Sequence, residues 1–213
     1  MLTIHHLGKS QSERIIWLCE ELALPYLLQR YERDPETILA PPELKALHPI
    51  GAAPLIVDGD VVLAESGAIV DYIIARHSGG RLALRPDDTD FPHYLYWLHF
   101  ANGNLQPNMG RVMVLRRLGL APDDPVMAAM QGRLDRAMRH VDARLATTAF
   151  LAGAQFTAAD IMTVFSLTTM RIFLPLDLSP YPGILAYLQR IGARPAYQRA
   201  MAKGDPGMVP LLA

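Results

Sequence analysis

The hydrophobic pattern of this chain changes from a mixed type to a purely helical type about a third of the way along its 213 residues. Residues 1–77 combine short apolar runs of strand-like alternation with segments of helical period, whereas the remainder shows helical periods only. The stretch 78–80 and the pair 85–86 mark the change, since Ser-Gly-Gly and Arg-Pro are typical of connecting segments. The pattern predicts an α/β domain at 1–77, a linker at 78–86 and an all-helical domain at 87–213.

Four strands are predicted in the first domain. They lie at residues 2–7, 26–31, 55–57 and 61–64. Asp58-Gly59 separates the last two and predicts a tight hairpin, because glycine takes a positive φ angle without steric cost. A helix is predicted directly after the hairpin, over Ser66–His77, and another between the first two strands, ending before Pro25.

Five helical segments are predicted in the second domain. Their ranges are 92–117, 125–145, 157–173, 184–191 and 195–202. The first is interrupted by Asn-Gly-Asn at 102–104 and by Pro107, and we expect a kink there, because an internal proline removes a hydrogen bond and clashes with the preceding turn. Thr157 and Asp160 match an acidic capping box at the start of the third helix. We therefore expect Asp160 to stabilise that helix rather than to take part in chemistry.

The composition disfavours several classes of function. The formal net charge is −1, so no strong field favours nucleic acid or an anionic membrane surface as a partner. No apolar run reaches the roughly 18 residues that span a bilayer, and the N-terminus lacks the pattern of a secretory signal. Cys19 is the only cysteine, so no internal disulfide or cysteine-rich metal site is expected, and the cytoplasm is the expected location.

Two serines, Ser10 and Ser12, lie in the turn between the first strand and the first helix. Ser10 and Glu13 have the spacing of a capping box, in which case Ser10 only starts the helix. The same position also suits catalysis, because a helix N-terminus stabilises an anion and a hydroxyl there donates to a ligand thiolate. Ser12, which the pattern puts further into the helix, is the alternative for that role.

The residues on either side of the predicted hairpin permit two interpretations each. Pro54 is either a trans proline at a strand edge or a cis proline that turns the Ala53 backbone outward to pair with an extended peptide. Ser66 either caps the next helix or holds a carboxylate, with Glu65 binding a nearby ammonium. A γ-glutamyl group carries both charges on one carbon, so it fits the second interpretation.

Taken together and in this order, the motifs resemble those of the cytosolic glutathione S-transferases. The resemblance extends over nearly the whole chain. It rests on Lys9-Ser10, HPIGAAP at 48–54, Asp58-Gly59, ESGAI at 65–69 and FTAAD at 156–160. The segment HFANGNLQP at 99–107 is in addition similar to one in bacterial and fungal members.

The resemblance implies a thioredoxin-like first domain with a mixed four-stranded sheet, an all-helical second domain and a homodimer. It implies a cis peptide bond at Pro54. Glutathione is the implied co-substrate, with no metal, and its site falls on the Ala53 backbone, Pro54, Glu65 and Ser66. The γ-glutamyl end of the peptide then lies at Glu65 and Ser66.

The activating hydroxyl falls on Ser10, which lies four residues before Arg14, as in serine-type members. The first turn has neither a tyrosine nor a cysteine, which disfavours the tyrosine-type and cysteine-type classes. Ser12 remains the alternative.

One departure concerns the glycine carboxylate of glutathione. Many members have a lysine where this chain has Ala52, and that lysine meets the carboxylate. Lys45, His48 and Arg33 are the candidates to replace it, and the sequence does not choose among them.

The expected activity is conjugation of the glutathione thiolate to a small apolar electrophile, held in an apolar pocket around residues 104–113. Asn104, Met109 and Arg111 are the candidate residues of that pocket. Two alternatives stay open: glutathione-dependent reduction of peroxides or disulfides, and a non-catalytic binding protein that shares the fold.

Overall fold

The computed structural model describes all 213 residues. Numbered along the chain, the strands are β1 Thr3–Leu7, β2 Leu27–Tyr31, β3 Leu55–Asp58 and β4 Val61–Ala64. The α-helices are α1 Glu13–Leu22, α2 Pro42–Lys45, α3 Ser66–His77, α4 Phe91–Phe100, α5 Gln106–Arg117, α6 Pro125–Leu145, α7 Ala158–Leu167, α8 Pro182–Gly192 and α9 Pro195–Gly204. None of these helices combines the length and the apolar character needed to cross a membrane.

The chain divides into two compact units that do not follow the sequence strictly. The first unit comprises Met1–Ala83 and Gly192–Pro210, and the second comprises Leu84–Ile191 and Leu211–Ala213. The sequence prediction assigned all of 87–213 to one helical domain. Helix α9 departs from that division because it packs against α1 of the first unit.

The first unit is built on a mixed four-stranded sheet with the strand order β2-β1-β3-β4. Strand β2 runs parallel to β1, whereas β3 is antiparallel to β1 and to β4. Ile4 on β1 and Ile56 on β3 are partners in the register and are fully buried, so the two inner strands carry the core. The thioredoxin-like α/β fold followed by helices, implied by the resemblance, is confirmed.

Helix α9 is attached to α1 by both ring packing and ion pairs. The rings of Trp17 on α1 and Tyr197 on α9 meet edge to face with their centroids 4.9 Å apart. Glu20 on α1 accepts hydrogen bonds from Arg199 and Lys203 on α9. These contacts hold α9 on the α/β unit.

The long helix predicted over 92–117 is interrupted where the sequence predicts a kink. Helix α4 gives way to a π-helical turn at Ala101–Leu105, after which α5 begins. The Gln106 N–H donates to the carbonyl of Ala101, five residues earlier, and Pro107 has no N–H to donate. The wider turn therefore accommodates the proline at the start of α5.

The helices that follow match the prediction at one place and differ at another. Helix α6 has the predicted bounds, 125–145, but α7 ends at Leu167 and not at residue 173. The Thr168 backbone leaves helical geometry, with φ −124° and ψ −96°, and its hydroxyl donates to the Val164 carbonyl at 2.8 Å. A 3₁₀-helix, Thr169–Ile172, takes over from there.

The predicted capping box at the start of α7 is confirmed. Asp160 accepts the N–H of Thr157 on Oδ2 at 2.9 Å, and the N–H of Leu151 and the hydroxyl of Tyr187 on Oδ1 at 3.0 and 2.9 Å. The side chain is fully buried, and burial raises the pKa of Asp160 to about 6 although these hydrogen bonds act in the opposite direction. Both carboxylate oxygens are thus occupied by groups of the second unit.

Candidate active site

The β3–β4 hairpin brings the two polar features that flank it to the same end of the sheet. Leu55 and Ala64 are partners in the register, so Pro54 and Glu65, one residue beyond each, follow at that end. The Ala53–Pro54 peptide bond is cis, as the resemblance implies. Glu65 has a φ of 70°, in a left-handed region that costs a non-glycine residue on the order of 1–3 kcal/mol and that recurs at functional sites.

Helix α3 begins at Ser66, and a buried arginine connects this point to the start of α1. Arg14 Nη1 donates to Ser66 Oγ at 3.1 Å and to Gln11 Oε1 at 2.9 Å. Arg14 is fully buried, and burial lowers its pKa to about 9. The sequence indicated Arg14 only by its spacing from Ser10, because a partner 52 residues away leaves no local signal.

The first turn differs from the predicted capping box of Ser10 and Glu13. Helix α1 begins at Glu13 itself, its N-cap residue is Ser12, and no side chain caps its first N–H groups. Ser12 therefore precedes the helix, and the prediction that it lies further inside is wrong. Ser10 is 7% exposed and Ser12 is 0% exposed, so of the two serines only Ser10 contacts solvent.

Ser12 occupies the centre of a buried polar cluster behind Ser10. Its Oγ lies 2.6 Å from Ser10 Oγ and 2.8 Å from His6 Nδ1. The Leu7 N–H donates to the same oxygen at 3.2 Å. The Ser12 N–H in turn donates to Ser10 Oγ at 3.3 Å. The competing helix cap does not form because both hydroxyls are engaged in this cluster.

The cluster ends at Asp205, the residue that follows α9. Its Oδ2 lies 3.4 Å from His6 Nε2, and its Oδ1 accepts the Lys9 N–H at 2.9 Å. Burial acts to raise the pKa of Asp205, but His6, the Lys9 N–H and Arg30 outweigh it and hold that pKa below its usual value. Sequence analysis missed both His6 and Asp205 because nothing local connects residues 199 positions apart.

The candidates for the glycine carboxylate have different surroundings. Arg33 donates to the backbone carbonyls of Gly8, Lys9 and Ile38 from its three guanidinium nitrogens, so its charge is committed to that loop. Lys45, in the last turn of α2, is exposed, and its ammonium group makes no hydrogen bond to another residue of the chain. The other candidate, His48, accepts the Ile50 N–H on Nδ1 at 3.2 Å and leaves Nε2 open.

Comparison with known proteins identifies the protein family of the chain. The family model of the glutathione S-transferase N-terminal domain matches residues 10–76, and that of the C-terminal domain matches residues 124–190. The chain belongs to the glutathione S-transferase family. The two matched ranges lie on either side of the predicted linker.

Individual glutathione S-transferases support the assignment over nearly the full chain. A structure of a glutathione S-transferase from Actinobacillus pleuropneumoniae superposes with a TM-score of 0.87 at 32% identity, covering 96% of this chain and 93% of the other. Glutathione S-transferase 3 of Zea mays is 34% identical, over 76% of this chain and 75% of its own length. Glutathione S-transferase 3 of Schizosaccharomyces pombe is 29% identical over 99% and 91%.

The three candidate pocket residues have different surroundings in the helical unit of this glutathione S-transferase. Asn104 and Arg111 line a cavity of about 510 Å³, which is also lined by the polar side chains of Asn108, Arg133, Arg136 and His140. Arg111 also borders a second cavity of about 570 Å³ with an almost entirely apolar lining, including Pro107, Val114, Val126 and Met130. Met109 is fully buried and lines neither of these two cavities.

The single thiol of the transferase lies inside α1. Cys19 is fully buried, and burial raises its pKa to about 12 with a smaller contribution from Glu20. A thiol needs a lowered pKa and access to solvent to act as a nucleophile. Cys19 has neither, so the protein itself offers no reactive sulfur.

Proposed function

We propose that the chain conjugates the thiolate of glutathione to a small apolar electrophile. The observation that carries the proposal is the Arg14 link, which joins the start of α1 to the start of α3. Two helix N-termini, each suited to an anion, are thereby coupled next to the end of the hairpin that carries cis Pro54. Glutathione needs such an arrangement, because its thiolate and its γ-glutamyl carboxylate are separate anions.

The γ-glutamyl end is assigned to Glu65 and Ser66 and the middle of the peptide to the backbone of Ala53. The Ser66 hydroxyl and the first N–H groups of α3 receive the carboxylate, and Glu65 receives the ammonium. A hydrogen bond to a charged group contributes about 1.5–3 kcal/mol, so Ser66→Ala should weaken glutathione binding by about tenfold or more. Calorimetry measures this, with Ser78→Ala as the matched control, and an unchanged dissociation constant removes the assignment.

Ser10 is assigned the hydrogen bond to the thiolate, since it is the exposed end of the serine pair. Ser10→Ala should lower kcat by about tenfold or more while the dissociation constant of glutathione changes little, because one unit of thiol pKa is a factor of ten in thiolate. Steady-state kinetics with an aryl halide provide the measurement. Unaltered turnover would transfer the role to Ser12 or to backbone N–H groups.

The glycine carboxylate is assigned to Lys45, assisted by His48. Lys45→Ala should raise the KM for glutathione severalfold with kcat almost unchanged, since the lost interaction is equal in the ground and transition states. Arg33→Ala should instead lower the melting temperature, because it removes hydrogen bonds to backbone carbonyls. If Arg33→Ala has the larger effect on KM, the assignment is reversed.

Conjugation is favoured over the other reactions of this class by two features of the chain. Cys19 cannot act in disulfide exchange, because it is inaccessible and its pKa is high. The apolar cavity bordered by Arg111 offers space for a neutral aromatic compound. Turnover of an aryl halide compared with a hydroperoxide tests the reaction class, and failure to bind immobilised glutathione would point to a non-catalytic protein.

The assembly and the location are part of the same proposal. We expect a homodimer in solution, as the family resemblance implies, and light scattering on the purified chain measures it. We expect a cytoplasmic location because the single cysteine gives no sign of an oxidising compartment. A monomer at micromolar concentration would contradict the first expectation.

A further inference from the structure

A line of four buried polar side chains leads inward from the place assigned to the thiol, and the proposed function uses only its outer end. The order is Ser10, Ser12, His6 and Asp205, with successive separations of 2.6, 2.8 and 3.4 Å. All four are at most 7% exposed. Buried polar groups destabilise a fold unless they are paired, and the last link, at 3.4 Å, is longer than an ordinary hydrogen bond.

The donors and acceptors along the line are consistent with a single direction when His6 is neutral. With its proton on Nε2, facing Asp205, His6 accepts the Ser12 hydroxyl proton on Nδ1. Ser12 Oγ then accepts from the Leu7 N–H and from the Ser10 hydroxyl. The alternative acceptor for Ser12, the Leu7 carbonyl, is further away at 3.4 Å. Ser10 Oγ is left as an acceptor at the outer end, where the thiol of glutathione is a donor.

We infer that this line is a proton relay in which His6 receives the thiol proton of bound glutathione through Ser10 and Ser12. The inference rests on the proposed function, since it needs glutathione at Ser10. The thiol S–H bond breaks as Ser10 Oγ takes its proton. Ser10 passes its own proton to Ser12, and Ser12 passes its own to Nδ1 of His6. The products are a thiolate and an imidazolium, with both hydroxyls restored and no net change in charge.

The transfer reverses the hydrogen bonds between Ser10, Ser12 and His6 Nδ1, while His6 Nε2–H continues to face Asp205. This reversal is what the thiolate requires. After it, His6 Nδ1–H donates to Ser12, Ser12 donates to Ser10, and Ser10 donates to the sulfur. A serine whose proton points inward towards Ser12 cannot stabilise a thiolate, whereas a serine supplied with a proton from behind can. The relay thus explains why Ser10, which keeps a small contact with solvent, lies against the fully buried Ser12.

Asp205 is the positioning residue of the relay. Its position at a helix C-terminus is unfavourable for a carboxylate without such a role. It caps the C-terminus of α9, where the helix dipole disfavours a negative charge. An imidazolium at His6 compensates that charge, and we expect the 3.4 Å separation to shorten once His6 is protonated. Gly204 leaves the necessary room, since a Cβ there would lie 3.3 Å from His6 Nε2 and 3.0 Å from Ile16 Cδ1.

The other charged groups around His6 come from β2 and the loop after it. Arg30 is the register partner of His6 on β2, and its guanidinium donates to the Gly204 carbonyl and pairs with Glu32. Arg33, whose field reaches Asp205, is bonded to backbone carbonyls. The positive charges of Arg30 and Arg33 destabilise an imidazolium at His6. The carboxylate of Asp205, directly after α9, compensates them. From the α1 side the nearest contact is the neutral Ser12.

The test counts protons against thiolates when glutathione binds the full-length protein. Ultraviolet absorbance measures the thiolate, and calorimetry in two buffers of different ionisation heat measures the protons released. S-methylglutathione, which has no thiol proton, supplies the blank for all other groups. In the wild type we expect clearly fewer protons released than thiolates formed, because His6 keeps the proton. In His6→Asn, which cannot hold it, we expect about one proton per thiolate.

Matched variants separate the relay from a merely structural role. His5→Asn changes the neighbouring histidine, which is bonded to Tyr31 and not to the cluster, so it should behave as the wild type. Ser12→Ala breaks the line but keeps His6, and should also give about one proton per thiolate, with thiolate at neutral pH reduced about tenfold per unit of pKa. Should His6→Asn fail to fold, Ser12→Ala and the wild-type ratio still decide the question.

The outcomes distinguish the relay from the function on which it rests. A wild-type ratio of about one proton per thiolate, equal to that of His6→Asn, overturns the relay while leaving the transferase assignment intact. Absence of glutathione binding, or binding without any thiolate, overturns the proposed function and the relay together. A low ratio in wild type and His5→Asn, restored to about one in both His6→Asn and Ser12→Ala, supports the relay.

Discussion

Two buried aspartates lie at helix ends in the two units of this protein, and they differ in the helix dipole they face and in their hydrogen bonds. Asp160 is in the first turn of α7, where the helix dipole favours a carboxylate, and both its oxygens accept hydrogen bonds at 2.9–3.0 Å. Asp205 follows the last turn of α9, where the dipole disfavours it, and one oxygen faces His6 at 3.4 Å. The first cluster is closed, whereas the second is incomplete at its inner end.

The difference in hydrogen bonding distinguishes a cluster that stabilises the fold, at Asp160, from one that we propose takes part in catalysis, at Asp205. A closed cluster contributes to folding and leaves nothing to exchange with a ligand, because each donor already has its acceptor. The cluster that reaches Ser10 is incomplete, so His6 can still accept a proton through Ser12 and Ser10. The comparison predicts that changes at Asp160 affect mainly stability and that changes around Asp205 affect mainly chemistry.

The largest effect is expected for Asp160→Ala. It leaves the Leu151 and Thr157 N–H groups and the Tyr187 hydroxyl without their acceptor in a buried place, so the free energy of unfolding should fall by about 3–5 kcal/mol. Urea denaturation measures the loss, with Asp205→Ala as the matched variant. A larger loss for Asp205→Ala than for Asp160→Ala would contradict the assignment of the Asp160 cluster to folding.

The contributions of the two aspartates to the free energy of unfolding should also depend on pH in opposite directions. The pKa of Asp160 is raised from 3.8 to about 6, so its contribution is complete below about pH 4 and is lost as the pH rises through about 6, a change of about 3 kcal/mol. The pKa of Asp205 is lowered, so its contribution is present at neutral pH and is lost on acidification. Unfolding of wild type, Asp160→Asn and Asp205→Asn from pH 4 to pH 7 should show the two differences moving in opposite directions.

A smaller loss is expected when one donor leaves the closed cluster. Tyr187→Phe removes a hydroxyl bonded to Asp160 Oδ1, but the Leu151 N–H still donates to that oxygen. No buried donor is left unpaired, so the free energy of unfolding should fall by about 1 kcal/mol. Activity should not change, and a fall in kcat without a fall in stability would contradict the assignment of this cluster to folding.

The smallest changes in stability are expected from two helical glycines, of which only Gly204 lies beside His6. Gly132→Ala in α6 places a Cβ near only Arg136, at 3.7 Å, and should stabilise the protein by about 0.5–1 kcal/mol. Gly204→Ala crowds His6 and Ile16, so we expect no such gain and a lower kcat. Equal kcat values for the two variants would show that the room beside His6 has no role in turnover.

Prediction from sequence succeeded where the signal is local. The hairpin around Asp58-Gly59, the bounds of α3 and α6 and the capping box of Thr157 and Asp160 all depend on residues within one or two turns of each other. The helix cap considered for Ser10 does not form, because the Ser10 and Ser12 hydroxyls are hydrogen-bonded in the cluster with His6. The cluster ends at Asp205, which is 195 residues away from Ser10 in the sequence.

Local patterns in the sequence were therefore enough to predict the four strands, the helices of the second unit and the polar residues at the end of the hairpin, because turn chemistry and hydrophobic period act over short distances. The mixed order of the sheet was implied by the family resemblance. The packing of α9 on the first unit and the position of Asp205 behind the catalytic candidate Ser10 are seen only in the folded chain. Burial and charge pairing depend on which groups meet in space, and no local pattern records that Arg14 meets Ser66 or that His6 meets Asp205.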